Sequence, residues 1–331
     1  MAAQRGPQHS PPRLINVVAK LLLAACAAWP AFAGAAKAPE RQATTPKLEG
    51  SQLTMLDAAL AGLPAQRPGV TDIYVLGVAG DADEDVFPNE VAYLRELSAK
   101  RWGAEGRMIS LVNQPALGHG GPPQVLATAD SIGHALNGLG RTLDPNEDVL
   151  FLYLTSHGLH DNSVYLHTGR DQEDYLAPAQ LARMLDEAHI GNAVIVVSAC
   201  FSGAFVPALI SPQRMVITAA RKDRPSFGCG NTDSATWFGR AFLIEALNAT
   251  NDFARAYTLA AGNVRRREKE QGERPSEPQF QNGRTVAAVL EQWRAGLPET
   301  PAVPYPFVHQ RPAGAKTLTP KSKPVANNRK G

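Results

Sequence analysis

Two residues of this chain are of types that carry out acyl transfer, and each stands where an apolar run stops. His157 closes "VLFLYLTSHG", and Cys200 closes "NAVIVVSAC" in the next strand-helix unit. A thiolate is the attacking species in cysteine chemistry, and an imidazole within reach can act as the base that generates it. Gly158 would let a backbone N–H approach closely, and together with the Cys200 N–H it could bind the oxyanion of a tetrahedral intermediate. The "FSGAF" that follows Cys200 reads as the first turn of a helix, whose dipole favours a negative sulfur. Taken singly, a cysteine after an apolar strand is usually an inert core residue, and a strand-end histidine is usually structural. The pair at two such ends is what points to a dyad.

Other groupings carry less. His157, His160, Asp161 and His167 lie close in sequence, but His-x-x-His without a second ligand pair does not make a zinc site, so no metal is expected and His160 is read as lining the cleft. "RRREK" at Arg265 to Lys269 reads as a solvated helix face. There is no G-x-S-x-G elbow and no Walker-type glycine loop, which disfavours serine hydrolases and nucleotide binding and leaves no cofactor expected.

The elements that must position His157 and Cys200 can be read from the runs around them. "DIYVLGVAG" (Asp72 to Gly80) is an unbroken apolar run of strand length, and "NEVAYLRELSAKRWG" has helical spacing and stops at Gly103. "RMISLVN" is a further strand, and "QVLATADSIGHALNGLG" repeats the helical pattern before a turn at Asp144 to Asp148. "SVYLHTG" suggests an edge hairpin, and "PAQLARMLDEAH" a helix with proline in its first turn. "RMVITAA" (Arg214 to Ala220) is the last clear strand, and helices from about Ala235 to Leu247 and Asp252 to Lys269 follow. Strands alternating with helices imply an α/β fold with a mainly parallel sheet covered on both faces. In such sheets ligands bind beyond the carboxyl ends of the strands, where both candidate residues fall.

Composition bounds what remains. A chain of 331 residues, 44% hydrophobic and 19% charged, can bury a substantial core, and a net charge of +2 gives no field suited to nucleic acid. At the amino end Arg5, Arg13 and Lys20 precede "LLLAACAAWPAFA", which ends on Ala31-Phe32-Ala33, so residues 1–33 read as an export signal cleaved after Ala33. The apolar run has about 13 residues against the about 20 that a membrane-spanning helix needs. No span is therefore expected in the mature chain, and the localisation expected is periplasmic or secreted. "LAAC" offers the alternative of a lipoprotein anchored through Cys26. Export leaves Cys200 and Cys229, which either pair with each other or include a free thiol; no disulfide framework is possible. Residues 34–66 read as a flexible or pro-like linker with a weak helix at Leu53 to Leu63, 67–296 as the folded domain, and 297–331 as a disordered tail. Nothing in the sequence speaks to oligomeric state.

Four stretches in order, "LFLYLTSHG", "VIVVSACFSGAF", "VITAARKDRPSFGCG" and "PSEPQ", resemble the bacterial branch of the legumain-like cysteine peptidases, the asparaginyl endopeptidase family of the caspase-fold clan. The resemblance runs from about Asp72 to Gln279. It implies a caspase-like three-layer sandwich, a Cys200 nucleophile, a His157 base, an oxyanion hole at Gly158 and Cys200, and a peptide or protein substrate. Ser226 matches a serine of the family's specificity pocket, whereas Ser198 and Arg240 stand where asparagine-cleaving members carry acidic residues. Asparagine selectivity is therefore not expected, and an arginine in that wall would favour an acidic side chain instead. A caspase-fold scaffold without turnover and a peptide ligase are the alternatives.

Overall fold

The structure is a computed structural model that describes residues 47–114, 124–169, 172–230 and 233–307. The expected export signal, with Cys26 in it, lies outside the described residues.

The chain enters through α1 (Gly50–Ala61), longer than the weak helix read from sequence and not a free linker, because Leu56 is fully buried with Met55, Leu60 and Leu63 packed around it. β1 (Ile73–Ala79) follows, then α2 (Val86–Trp102), β2 (Met108–Val112), α3 (Ala129–Thr142) and β3 (Val149–Thr155). α2 starts three residues before the expected "NEV", with Pro88 inside its first turn, where a missing N–H costs no helical bond. It stops at Gly103 in the left-handed conformation. α3 is fixed at its start by a capping box between Thr128 and Ser131. The predicted edge hairpin is a separate two-stranded sheet of β4 (Val164–His167) and β5 (Glu173–Leu176). Then come α4 (Pro178–Glu187), β6 (Asn192–Ser198), the short α5 (Phe205–Leu209), β7 (Arg214–Thr218) and β8 (Gln279–Asn282).

Six strands form one sheet in the order β2-β1-β3-β6-β7-β8, all parallel except β8, which runs antiparallel to β7 at the edge. The unbroken apolar runs are explained by burial on both faces. In β3, Val149, Phe151 and Tyr153 enter one core with α2 and the helices Phe253–Gln271 and Arg284–Ala295, while Leu150, Leu152 and Leu154 enter the other with α1, α3, α4 and α5. This is the three-layer α/β layout of the caspase-like fold.

Two further sequence expectations need correction. Residues 297–307 are not a free tail: Val303 is buried, its N–H donates to Asn248 Oδ1 at 2.8 Å, and its carbonyl accepts from Tyr93 Oη at 2.8 Å. "RRREK" is not wholly a solvated face either. Glu268 is buried and accepts from the Ser276 N–H, and Arg267 bridges to Glu245 and the Trp237 carbonyl, because both lie near the helical stripe begun by Ala260 and Val264. β8 and the Arg284–Ala295 helix went unread. Among the described residues no helix is long and apolar enough to cross a membrane.

Candidate active site

Strand register assembles the site. Ala79 of β1 is level with Thr155 of β3, and Thr155 is level with Ser198 of β6. Two residues beyond each of these, on three adjacent parallel strands about 4.8 Å apart, stand Asp81, His157 and Cys200. The expected neighbours therefore meet at one carboxyl edge, with a carboxylate added on the far side of the imidazole. Gly158 lies against the Cys200 backbone so closely that a Cβ there would fall 1.7 Å from the Cys200 carbonyl oxygen; only glycine fits. Among the described residues, no acceptor takes the N–H of either Gly158 or Cys200.

Cys200 and Cys229 are both free thiols, which removes the pairing alternative. The Ser226 N–H donates to Cys200 Sγ at 3.2 Å, and the Ser226 hydroxyl lies 3.8 Å from the sulfur. Burial, with Cys200 nearby, pushes the Cys229 thiol up to about 11, so it stays protonated at neutral pH. Phe201, directly after Cys200, has a φ of 57°, a strained value for a non-glycine residue. It is held by the Arg224 carbonyl, which accepts from its N–H, by Asn162 Nδ2, which donates to its carbonyl, and by the His160 ring 4.3 Å away. The helix expected here begins as a 3₁₀ turn, Ser202–Ala204, before the five residues of α5, so the dipole behind the sulfur is small.

The His157 ring is one-third exposed, with the edge of Phe87 packed against it at 5.3 Å and Nε2 3.6 Å from Asp81 Oδ2. Its carbonyl accepts from the Tyr165 N–H of β4, which fixes the backbone where β3 has ended. His160 and His167 do not join it as a ligand set. His167 Nδ1 lies 3.4 Å from Asp81 Oδ1 and 3.5 Å from Asp83 Oδ2, and Asp81, Asp83 and His167 are the grouping among the described residues whose donor atoms lie close enough, within 4.8 Å, to hold a cation.

The expected specificity residues separate. Ser226 touches the Cys200 sulfur, but Ser198 is buried with its hydroxyl 3.3 Å from Thr236 Oγ1. Arg240 is directed at Ser234, donating to its hydroxyl at 3.0 Å, and its guanidinium lies over the Tyr305 ring at 5.6 Å. That position follows from the corrected 297–307 segment, which brings Tyr305 to the arginine. Beneath the edge, fully buried Glu90 of α2 accepts from Tyr153, Thr155 and both the N–H and hydroxyl of Thr236. A Cβ at Gly239 would fall 2.0 Å from Glu90 Oε1, so that position too requires glycine. Sequence reasoning missed Asp81 and Glu90. The rule that found His157 and Cys200 would have found Asp81 had it been applied to β1, whose run also ends two residues before a chemically competent group.

A parallel α/β sandwich carrying a thiol and an imidazole at the carboxyl edge of adjacent strands defines a caspase-like class of protein. Within that class, residues 125–287 match the Peptidase C13 family, the legumain family of cysteine-type peptidases. A comparison with curated proteins returned no match.

Proposed function

We propose that this chain is an exported cysteine endopeptidase that hydrolyses peptide bonds of protein substrates through a Cys200–His157 dyad and an acyl-enzyme. The observation that carries the reading is that β3 and β6 end level, Thr155 opposite Ser198, with His157 and Cys200 each two residues further on and Gly158 packed on the Cys200 backbone. His157 takes the thiol proton, and the sulfur attacks the scissile carbonyl. The resulting oxyanion is held by the free N–H groups of Gly158 and Cys200. The imidazolium then gives its proton to the leaving amine, and the C–N bond breaks to leave a thioester. Water, deprotonated by the same imidazole, attacks the thioester and releases the acid and the thiol. An amine in place of water would make the same intermediate a ligase intermediate.

Cys200→Ala removes the nucleophile, and peptide hydrolysis should fall by about three powers of ten or more. Cys229→Ala, which removes a protonated, half-buried thiol, should keep most of the activity. Activity of Cys200→Ala within about tenfold of the parent would reject the dyad, and labelling by a thiol-directed acyl probe should map to Cys200 alone. Export rests on Arg5, Arg13, Lys20 and the run that ends at Ala33. The mass of the mature amino terminus tests it: a chain starting at Gly34 supports cleavage there, and a lipidated Cys26 supports the anchored form.

A further inference from the structure

We propose that Glu84, with Asp233 across from it, forms an anionic wall beside Cys200 that takes a lysine or arginine side chain at P1, the residue whose carbonyl the sulfur attacks. The inference rests on the peptidase reading above and deepens it by naming the substrate class of the same site.

The placement of Glu84 follows from two neighbours along the chain. Asp81 Oδ2 lies 3.6 Å from His157 Nε2, and the edge of Phe87 packs on the same ring at 5.3 Å. Glu84 stands three residues from each, so it is carried by a loop whose two ends both touch the imidazole. A second loop closes in from the thiol side. It starts at Ser226, whose N–H donates to Cys200 Sγ at 3.2 Å. It ends on α2, where the Ser234 carbonyl accepts from Asn89 Nδ2 at 3.1 Å and the Thr236 N–H donates to Glu90 at 2.7 Å. Cys229 and Asp233 belong to this second loop. The two acids converge on it: burial first, and then Cys200, keep the Cys229 thiol protonated, and the charges of Glu84 and Asp233 both add to that effect.

Glu84 is half-buried, and its charge is unanswered. Its Oε2 is buried without a hydrogen-bond partner among the described residues, an unfavourable state for a carboxylate oxygen. Burial, followed by the charges of Asp81, Asp83 and Asp85, raises its carboxyl above the usual range, and no cation acts in the opposite direction. Asp81 and Asp83 ion-pair with histidines and with no lysine or arginine among the described residues. The arginines near the second loop are engaged elsewhere, Arg221 and Arg224 with Glu277, and Arg240 with Ser234 and Tyr305. A substrate cation supplies what this wall lacks. A guanidinium or an ammonium brings N–H donors to the unmade acceptor and opposite charge to acids that otherwise repel one another, and away from bulk water such a charge-assisted bond is strong. An acidic P1 side chain would add to the repulsion, and an apolar one would leave it as it is.

A peptide library randomised at P1 is cut with the full chain, and mass spectrometry reads the cleavage sites. We expect cleavage after Lys or Arg to be about tenfold faster, or more, than cleavage after Asn, Asp or Leu. Glu84→Gln keeps the size of the side chain and removes its charge, and the ratio of cleavage after Lys or Arg to cleavage after Leu should fall about tenfold. A merely structural role would lower both rates together and leave the ratio in place. The charge reversal Glu84→Arg should move the preference to Asp and Glu. A parent that cuts after Asn or Leu as readily as after Lys or Arg, or a Glu84→Gln protein with the parent's ratio, overturns the proposal and leaves the peptidase reading standing. Should the variants fail to fold, the parent decides alone. A thiol-directed acyl probe with arginine at P1 should label Cys200 about tenfold faster than the same probe with citrulline, a neutral side chain of the same shape, and equal rates overturn the proposal. A parent that cuts no member of the library and takes up neither probe at Cys200 overturns the peptidase reading, and this inference with it.

Discussion

Arg240 shows how far a residue's type alone can mislead. In sequence it suggests a charged wall for the specificity pocket; in the fold its guanidinium is engaged by Ser234 Oγ and the face of Tyr305. Such a cation-π contact contributes about 0.5–1 kcal/mol at a partly exposed site. Arg240→Ala should therefore lower the melting temperature slightly and leave the cleavage profile of a P1-randomised peptide library unchanged. A marked loss of cleavage after Asp or Glu in that variant would restore the residue to the pocket. The parent should also lack a dominant preference for Asn. A carboxamide needs donors and acceptors set together, and with Ser198 turned to Thr236 and Arg240 to Ser234, unmade hydrogen bonds would cost about 1–3 kcal/mol. Cleavage concentrated after Asn would reject this.

At the scale of elements, α2 is fastened to the sheet through one buried acid. Glu90 joins β3, through Tyr153 and Thr155, to the turn at Thr236, directly below the carboxyl edge. Burial pushes its carboxyl above the usual range near 4.5, against the pull of the hydrogen bonds it accepts. A folded value above the unfolded one means that the acid contributes most stability when protonated in both states. That contribution is complete below the unfolded value and is lost as pH rises through the folded one. Melting temperatures recorded from pH 4 upward should carry this decline in the parent, and Glu90→Gln should flatten it. At neutral pH the amide turns a donor toward donors, which should cost about 1–3 kcal/mol. An unchanged slope in Glu90→Gln would show that the carboxyl does not titrate in this range. The same element explains what was legible in the sequence. β1, β3, β6 and β7 were readable because burial on both faces writes an unbroken apolar run. β8 was not, since "QFQN" is a polar edge strand that buries little, and Glu90 looked like any exposed helix acid because its partners lie more than 60 residues away in sequence. The start of α2 was hidden by a proline inside its first turn.

For the molecule as a whole, the segment 297–307 straps α2 to the helices on the same face. Arg101 Nη1 donates to the carbonyls of Thr300 and Pro301, Tyr93 Oη and Asn248 Nδ2 donate to that of Val303, and Tyr305 Oη donates to that of Ser234. A chain ending at Gly296 removes the acceptors of Arg101 and Tyr93 and the Tyr305 donor itself, and relative to a chain ending at Phe307 it should lose about 2 kcal/mol or more, seen as a melting temperature lower by about 4–8 °C. Equal melting of the two truncations would mean that the strap contributes nothing. The three central strands carry a further consequence. β1, β3 and β6 each have seven residues, start level at Ile73, Val149 and Asn192, and end level at Ala79, Thr155 and Ser198. The chain thus measures its chemistry by counting: each strand is a ruler of the same length laid from the same line, and each reactive group is the second mark past the end. Deleting one residue from any of them would draw its group back by about 3.3 Å and turn it to the opposite face of the sheet. In this fold a strand's length is as much a part of the site as the side chain at its tip.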